Sequence, residues 1–371
     1  MKLETIAIHA GNYTDPATGA VIQPITLSTT FERGEDGGFQ SGYIYTRADN
    51  PNRKSLENVL TKLEGGVDAC AFSSGNSAGS ALLQALKPGS HIIAPDDMYH
   101  GLRNLINTVF EGILSVDYLD YSDISAVESA IKPNTKLIWV ETPSNPLLKI
   151  SDIKALVKLA HENDLIVCCD NTFATPVFQR PLELGADIVM HSTTKYLGGH
   201  SDVLGGALIT NNNNDLWDKI RNIQVLSGSV PSPFDCYMTV RGIKTLPYRM
   251  RGHAENARQI ASYLQSHVNI EKVFYPGLAD HPSYGIAKSQ MKDFGGMLSF
   301  TVKNSSDDAR RVSNKLKLFT RATSLGGVES LIEHRASMEG PDTKTPGNLL
   351  RISVGLEFID DLIADLDQAL K

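Results

Sequence analysis

The sequence predicts an α/β protein with a mostly parallel, doubly wound sheet and a smaller C-terminal α/β domain. Between about residues 68 and 210, short β-rich runs alternate with helix-like stretches, which is typical of a parallel sheet covered by helices on both faces. A chain of 371 residues also exceeds the usual size of one hydrophobic core. Pro231 and Pro233 then mark the passage into a second unit.

The predicted strands follow one another in this alternation. They are Ala69–Phe72, His91–Ala94, Val116–Leu119, Leu137–Val140, Leu165–Cys169, Asp187–Met190 and Ala207–Thr210. Two helices are predicted between them, over Ser77–Leu86 and Ser151–His161, because apolar residues recur at helical spacing. Asp152 favours a helix start at that point. A final amphipathic helix is expected over Asp360–Leu370.

The beginning of the chain is predicted to be an arm that lies on another surface. It is punctuated by proline and glycine and shows little periodicity, with Gln23–Phe31 as its only strand-like part. We therefore expect three parts: an N-terminal arm over residues 1–48, a large domain over 49–230 and a C-terminal domain over 231–371.

The composition is that of an ordinary globular protein acting on small molecules. Apolar residues make up 41% and charged residues 21%, and the net charge of −7 indicates no affinity for nucleic acid. No apolar run approaches the roughly 18 residues of a membrane span, and Met1–His9 lacks a signal-peptide core. We expect a cytoplasmic protein without nucleic-acid or membrane partners. The four cysteines show no Cys-x-x-Cys spacing and are expected to be reduced packing residues, with no metal site.

Polar side chains follow two neighbouring strands, at the sheet edge where α/β proteins collect ligands. Asp170 comes directly after one strand, and Lys195 follows the next. A buried carboxylate keeps a pyridine nitrogen protonated. A lysine desolvated near another cation loses its proton readily, attacks a carbonyl carbon and serves as a base. Taken singly, Asp170 is better explained as a cap of the following turn and Lys195 as a solvated loop residue.

The segment Phe72–Gly79 joins a strand to a helix N-terminus, where backbone N–H groups and the helix dipole attract anions. It lacks both the Walker lysine and the Gly-x-Gly-x-x-Gly order, so a simple turn is the alternative interpretation. Ser192 and Thr194, shortly before Lys195, offer hydroxyl donors to the same anion.

Eight ordered motifs extend along the chain: Tyr45–Pro51, Phe72–Gly75, Met98–Gly101, Glu141–Pro146, Asp170–Phe173, His191–Asp202, Ser324–Gly327 and Arg351–Glu357. Through them the chain resembles, nearly end to end, the Cys/Met-metabolism or trans-sulfuration family of pyridoxal 5′-phosphate (PLP) enzymes. The resemblance implies the aspartate-aminotransferase-like fold, PLP as the cofactor and an amino-acid substrate. It also implies a homotetramer, built as a dimer of dimers with shared active sites.

The resemblance also implies roles for individual residues. Lys195 would carry the cofactor, Asp170 would pair with the pyridine nitrogen and Tyr99 would stack on the ring; these are the expected catalytic residues. Arg351 would bind the substrate carboxylate, near Ser324 and Asn145. The expected cofactor-binding residues are Tyr45, Arg47, Ser74, Gly75, Asn76, Tyr99, Asn145, Asp170, Ser192, Thr194 and Lys195, with Tyr45 and Arg47 reaching in from the neighbouring subunit.

One such site serves γ-elimination, γ-replacement and β-elimination alike. Ser324–His334 resembles the γ-type branch, cystathionine γ-synthase and γ-lyase, more than the β-lyases. The leading interpretation is therefore γ chemistry on a sulfur-containing or O-acylated four-carbon amino acid. A β-lyase, another γ-lyase with an unusual substrate, and a binding protein without activity are the alternatives.

Several positions depart from the family pattern. Thr323 stands where γ-synthases and γ-lyases often have glutamate, and Gly101 where methionine γ-lyases usually have cysteine. Arg335 and Glu339 replace a proline and a threonine. One hypothesis is that Arg103 or Arg335 recognises a distal carboxylate, a solvated surface arginine being the alternative. For His100, packing and lining the site are both open, whereas His334 is expected to pack.

Overall fold

The computed structural model describes residues 1–339 and 345–371, and within them the large sheet has seven strands. They are β1 (Asp68–Phe72), β2 (His91–Pro95), β3 (Ser115–Leu119), β4 (Thr135–Glu141), β5 (Ile166–Asp170), β6 (Ile188–His191) and β7 (Gly206–Thr210). Their spatial order is β1-β7-β6-β5-β4-β2-β3. All seven predicted strands are therefore present.

The predicted, mostly parallel character of this sheet is confirmed, with β7 as the exception. Strands β2 to β6 pair in parallel, whereas β7 is antiparallel to both β1 and β6. Parallel neighbours need a crossover connection, but turns rather than a helix connect β6 to β7. Lys195 lies in this connection.

The helices surround the sheets. They are α1 (Leu3–His9), α2 (Pro51–Glu64), α3 (Gly75–Ala85), α4 (His100–Val109), α5 (Ile124–Ser129), α6 (Ile153–His161), α7 (Thr175–Phe178), α8 (Asp215–Ser227), α9 (Pro233–Ile243), α10 (Leu246–Ser266), α11 (Tyr284–Gln290), α12 (Ser306–Lys315), α13 (Ala336–Glu339) and α14 (Ile359–Leu370). In β1, Ala71 packs in one hydrophobic cluster with Leu56 of α2, and Phe72 packs in another with Leu82 of α3. Successive side chains of a strand face opposite sides, so helices cover both faces.

Capping side chains set the starts of the two helices predicted between the strands. Helix α3 begins at Gly75, before the predicted start, because Ser74 Oγ accepts a hydrogen bond of 3.0 Å from the N–H of Ser77. Helix α6 begins at Ile153, after the predicted start, because Asp152 accepts from the N–H of Ala155. Both helices were predicted, but α3 begins two residues before its predicted start and α6 begins two residues after its predicted start.

A second, smaller sheet lies in the C-terminal part. Its strands are β8 (Ile270–Phe274), β9 (Met297–Val302), β10 (Thr320–Arg321), β11 (Leu331–Glu333) and β12 (Leu349–Ser353), in the order β10-β11-β12-β9-β8. Leu264 of α10, Val312 of α12 and Leu366 of α14 pack in one cluster with these strands. The final helix is confirmed as α14, whereas the domain boundaries at residues 48 and 230 stay predictions.

The strand expected over Gln23–Phe31 is not formed, and that prediction was wrong. Only an isolated bridge joins Thr30 to Tyr45. Side chains of α2 bind this stretch instead: the amide of Asn52 accepts from the Thr26 N–H and donates to the Pro24 carbonyl. These bonds satisfy the backbone without a neighbouring strand.

Two further expectations concern cysteines and membranes. The four cysteines, all within the described ranges, are buried and unpaired, as packing residues would be. Among the described helices, none combines the length and the hydropathy needed to cross a bilayer.

Candidate active site

The carboxyl ends of β4, β5 and β6 open into a cavity of about 320 Å³. Eleven of the thirteen predicted site residues line it: Ser74, Gly75, Asn76, Tyr99, Asn145, Asp170, Ser192, Thr194, Lys195, Ser324 and Arg351. A larger cavity of about 580 Å³, between Tyr121 and Phe274, contains none of them among its described lining residues. The chemistry of the side chains, rather than size, therefore identifies the smaller cavity as the candidate site.

Lys195 is a partly buried amine in this cavity. Its Nζ donates a 2.7 Å hydrogen bond to Ser324 Oγ. Ser324 adopts a φ of 102°, a backbone region that residues other than glycine rarely occupy. Burial, helped by the positive charge of Arg351 and opposed by Glu333, lowers the pKa of Lys195 to about 8. The amine is therefore available as a nucleophile and as a base near neutral pH.

Two carboxylates stand side by side at the sheet edge. Asp170 of β5 and Glu141 of β4 are in register. Asp170 accepts from the N–H and the Oγ1–H of Thr172, at 3.0 and 2.5 Å. Burial raises the pKa of Asp170, while Thr172 and the charge of His191 lower it. Burial and Asp170 raise the pKa of Glu141 well above its usual range. Two adjacent carboxylates resist joint ionisation, so the better hydrogen-bonded Asp170 is the anion.

The start of α3 forms a cradle for an anion. The first N–H groups of a helix, here those of Gly75 and Asn76, lack intrahelical acceptors. A Cβ on Gly75 would lie 3.0 Å from Ser192 Cβ, so glycine permits this close approach. The Thr194 hydroxyl donates to the Gly205 carbonyl. Ser74 Oγ accepts from the Ser77 N–H and keeps its own proton, so it remains a donor beside the helix N–H groups. This set fits a phosphate-sized group.

Arg351 on β12 is buried, whereas the sequence without the family resemblance suggests a surface charge. Its Nη1 donates to Asn145 Oδ1 at 3.0 Å, and its Nη2 donates to the Ser324 carbonyl and pairs with Glu333 at 2.7 Å. Burial lowers its pKa to about 10, so the guanidinium remains charged. Its Nε is buried without a partner among the described residues. A substrate carboxylate is a fitting acceptor for such a donor.

Tyr99 stands at the start of α4 and is 43% exposed. Its backbone N–H donates to Glu141 Oε2 at 2.7 Å, which ties it to the carboxylate pair. A Cβ on Gly101 would approach the Tyr99 ring to 2.6 Å. Glycine at position 101 therefore accommodates the ring in this position, and a cysteine there would displace it.

Tyr45 and Arg47 lie outside the cavity wall. Arg47 Nη1 donates to the Val225 carbonyl near the end of α8, and Tyr45 is almost half exposed. Within one chain, the structure does not bring these two predicted residues together with the other eleven.

The residues that depart from the family pattern separate into two groups. Thr323 and Arg335 line the cavity. Arg103 does not: it stacks over the Tyr118 ring at 4.0 Å and donates to the Asp96 carbonyl. His100 also lies outside the wall. His334 binds the Gly347 carbonyl at 2.6 Å, and its expected packing role stays a prediction.

Sequence reasoning missed Glu141, Thr172 and Glu333 as parts of this site. Glu141 directly follows a predicted strand and begins a family motif, and Thr172 stands two residues after Asp170, so both carried a signal. Glu333 lies beside Arg351 through the register of β11 and β12, which no local pattern reveals.

Sequence and structure comparisons identify known proteins that this chain resembles. A sequence model of the family described as "Cys/Met metabolism PLP-dependent enzyme" matches residues 4–371. The cystathionine gamma-synthase of Mycobacterium tuberculosis is 49% identical over 374 aligned residues, which cover 99% of this chain and 96% of the relative. The cystathionine beta-lyase of Coxiella burnetii is 44% identical, with 99% and 97% covered. The structure of cystathionine gamma-lyase from Lactobacillus plantarum complexed with L-serine superposes with a TM-score of 0.95 at 42% identity, covering 100% of this chain and 98% of that one.

Proposed function

Because the chain belongs to the Cys/Met metabolism family of PLP-dependent enzymes, we propose that this cavity performs γ-elimination or γ-replacement. The substrate is a sulfur-containing or O-acylated four-carbon amino acid. One observation carries the proposal: a partly buried lysine amine with a pKa of about 8 shares a cavity with an aspartate and a buried arginine. Membership of an enzyme family also argues against a purely binding role.

The residues of the cavity fit the cofactor. Lys195 would carry it, Asp170 would pair with its ring nitrogen and Tyr99 would stack on its ring. The N–H groups of Gly75 and Asn76 would bind its phosphate, together with the Ser192 hydroxyl. Asn145, beside Arg351, would face the ring hydroxyl. When bound, PLP withdraws electrons from Cα of the amino acid, which makes the Cα proton acidic.

The protein's own side chains supply binding and proton transfer. Arg351 binds the α-carboxylate through its guanidinium and so fixes which bond of Cα faces the lysine. The Lys195 amine, once released, takes the Cα proton, and its lowered pKa leaves a larger fraction of it unprotonated near neutral pH, as a proton acceptor must be. Ser324 Oγ, hydrogen-bonded to Nζ, keeps the amine in place. Expulsion of a γ-substituent further requires removal of a proton from Cβ, for which Lys195 and the Tyr99 phenol are the candidate bases.

β-Elimination is the second candidate, favoured by the 44% identity to a cystathionine beta-lyase. The same lysine, aspartate and arginine serve it, since only the position of the leaving group differs. The reaction products distinguish β-elimination from γ chemistry. We expect purified protein to be yellow. Offered cystathionine, methionine or O-succinylhomoserine in turn, the last with or without cysteine, it should release 2-oxobutanoate by γ-elimination or form a γ-replacement product.

Each of the other possible products identifies a different reaction. Pyruvate together with homocysteine from cystathionine would establish β chemistry. Cystathionine formed from O-succinylhomoserine and cysteine would establish γ-replacement. Protein that stays colourless after addition of PLP and turns over none of these amino acids would overturn the proposal.

Arg335 is the better candidate for recognising a distal carboxylate, because it lines the cavity and Arg103 does not. Its guanidinium is held by Glu333 and Glu339. We expect Arg335→Ala to raise KM about tenfold, or about 1.4 kcal/mol, for a substrate with a distal carboxylate. KM for methionine should change little, and Arg103→Ala should affect neither substrate.

Comparing the KM values of the two substrates distinguishes loss of carboxylate recognition from general damage to the site. Arg335→Lys retains the charge and should recover part of the lost affinity. A rise in KM that is equal for both substrates would contradict the role of Arg335 in selection, as would an effect of Arg103→Ala on the distal-carboxylate substrate alone.

We further propose a homotetramer, a dimer of dimers, in which Tyr45 and Arg47 complete the phosphate site of a neighbouring subunit. Their position outside the cavity of their own chain supports this arrangement. So do exposed apolar side chains on the arm, such as Val21 and Leu27, which a partner surface would cover. A cytoplasmic location stays a prediction from composition.

A further inference from the structure

A buried carboxylate lies between two arginines of the cavity wall, and the proposed mechanism gives it no role. Glu333 Oε2 accepts a 3.0 Å hydrogen bond from Arg335 Nη1 and pairs with Arg351 Nη2 at 2.7 Å. Both arginines line the cavity, whereas Glu333 is not among the described residues of its wall. The Glu333 side chain is 4% exposed. One carboxylate oxygen therefore holds both guanidinium groups from behind.

Sheet register brings these three side chains together. Glu333 on β11 is the Cα partner of Arg351 on β12, and paired residues of neighbouring strands project from the same face of a sheet. Arg335 follows in the connection to α13, where Glu339 Oε1 accepts from its Nη2 at 2.7 Å. The backbone of Glu333 is fixed by two strands, whereas an arginine has a long side chain with many rotamers. Glu333 can therefore set where the two guanidinium groups lie.

The burial of this Arg–Glu–Arg triad calls for a reason other than stability. Removing the three charges from water costs free energy, and apolar residues of similar volume often replace such triads without loss of stability. Glu333 Oε1 is moreover buried without a partner among the described residues. Because both arginines border the cavity, the binding of a substrate is the role that accounts for the arrangement.

Glu333 is one of three acceptors that orient Arg351. Asn145 Oδ1 accepts from Nη1 and the Ser324 carbonyl accepts from Nη2, each at 3.0 Å. Both of these acceptors are neutral, and Glu333 is an acidic side chain. Its charge opposes the lowering of the Arg351 pKa by burial, to which the charge of Arg335 adds. Loss of the Glu333 charge should therefore loosen the guanidinium that faces the substrate.

We propose that Glu333 is a positioning residue for substrate carboxylates: it holds Arg351 and Arg335 at a fixed separation, as one binding unit. This inference rests on the proposed function, in which Arg351 binds the α-carboxylate and Arg335 a distal one. The negative charge between the arginines offsets their mutual repulsion. The substrate that uses the whole unit is an amino acid with a second carboxylate beyond its γ-substituent.

The first test compares Glu333→Gln with Glu57→Gln. Glu57 is a buried carboxylate that also pairs with an arginine, Arg221, and lies outside the described cavity wall. Glutamine keeps the size of the side chain but loses the charge. Binding to the holoenzyme is measured from the visible absorption of the cofactor, with L-methionine and with L-methioninamide, which has no carboxylate.

We expect Glu333→Gln to raise the Kd of methionine about tenfold, the order of effect for a hydrogen bond to a charged group. The Kd of methioninamide should change by less than about twofold, because Arg351 has no carboxylate to bind there. Glu57→Gln should leave both Kd values as in the wild type.

A dicarboxylic substrate tests whether the two arginines act as one unit. For whichever of cystathionine and O-succinylhomoserine the enzyme turns over, Glu333→Gln should raise KM about tenfold more than it does for methionine. In an Arg335→Ala background, this additional rise should disappear, because the second arginine is already absent. An additional rise that persists without Arg335 would contradict the coupling.

The possible results separate this inference from the proposed function. Equal Kd changes for methionine and methioninamide would indicate general damage and overturn the inference, as would equal behaviour of Glu333→Gln and Glu57→Gln. A wild-type protein that binds no PLP would instead overturn the proposed function. If Glu333→Gln does not fold, Glu333→Asp keeps the charge but shortens the side chain. It should weaken the binding of methionine and spare methioninamide, and an unchanged Kd for methionine would refute the inference.

Discussion

Replacing Lys195 by alanine is expected to lower kcat/KM by at least about 10³-fold, the order of loss for an essential proton-transfer group. Lys195→Ala removes both the attachment of the cofactor and the base at Cα. Borohydride treatment followed by proteolysis should fix the cofactor to the Lys195 peptide of the wild type. The variant should show no such adduct.

The low pKa of Lys195 also predicts how the capture of added PLP depends on pH. A lowered pKa means that the neutral amine is already half populated at about pH 8. The rate at which apoprotein captures added PLP should therefore rise about tenfold per unit of pH below this value and level off above it. An exposed lysine on α8, Lys219, provides the control: Lys219→Ala should leave capture and turnover unchanged. Cofactor still fixed by borohydride in Lys195→Ala would contradict the assignment.

Replacing Asp170 by asparagine is expected to reduce kcat by about 10²–10³-fold, as when one preorganised charged group is removed from a site. The two side chains have the same shape, and the asparagine oxygen can keep the hydrogen bonds from Thr172. What disappears is the negative charge that keeps the ring nitrogen protonated. The loss should therefore appear in kcat, with a changed absorption spectrum and little change in folding.

Asp187 is the matched control for this substitution. It lies at the opposite, amino end of β6 and accepts from the Val167 N–H at 2.8 Å. Asp187→Asn should change stability slightly and leave the spectrum as it is. An Asp170→Asn enzyme with wild-type turnover would show that this carboxylate does not serve the cofactor.

Local pattern predicted the large sheet well, because β-rich runs and helical periodicity are properties of neighbouring residues. It failed at Gln23–Phe31, where the composition allows a strand but side chains of α2 satisfy the backbone instead. It also did not indicate that β7 runs antiparallel, since direction depends on the connection and not on the strand itself.

For the candidate site, the sequence by itself determined that Asp170 and Lys195 follow adjacent strands and that the segment Phe72–Gly79 joins a strand to a helix N-terminus. Only the tertiary structure decided that Arg351 is buried and meets Asn145, 206 residues away. It also brought Glu64 to His191 across 127 residues. The physical reason is that such contacts arise from sheet register and helix docking. Sheet register and helix docking depend on how the whole core packs, whereas a sequence motif contains only residues that are neighbours in the chain.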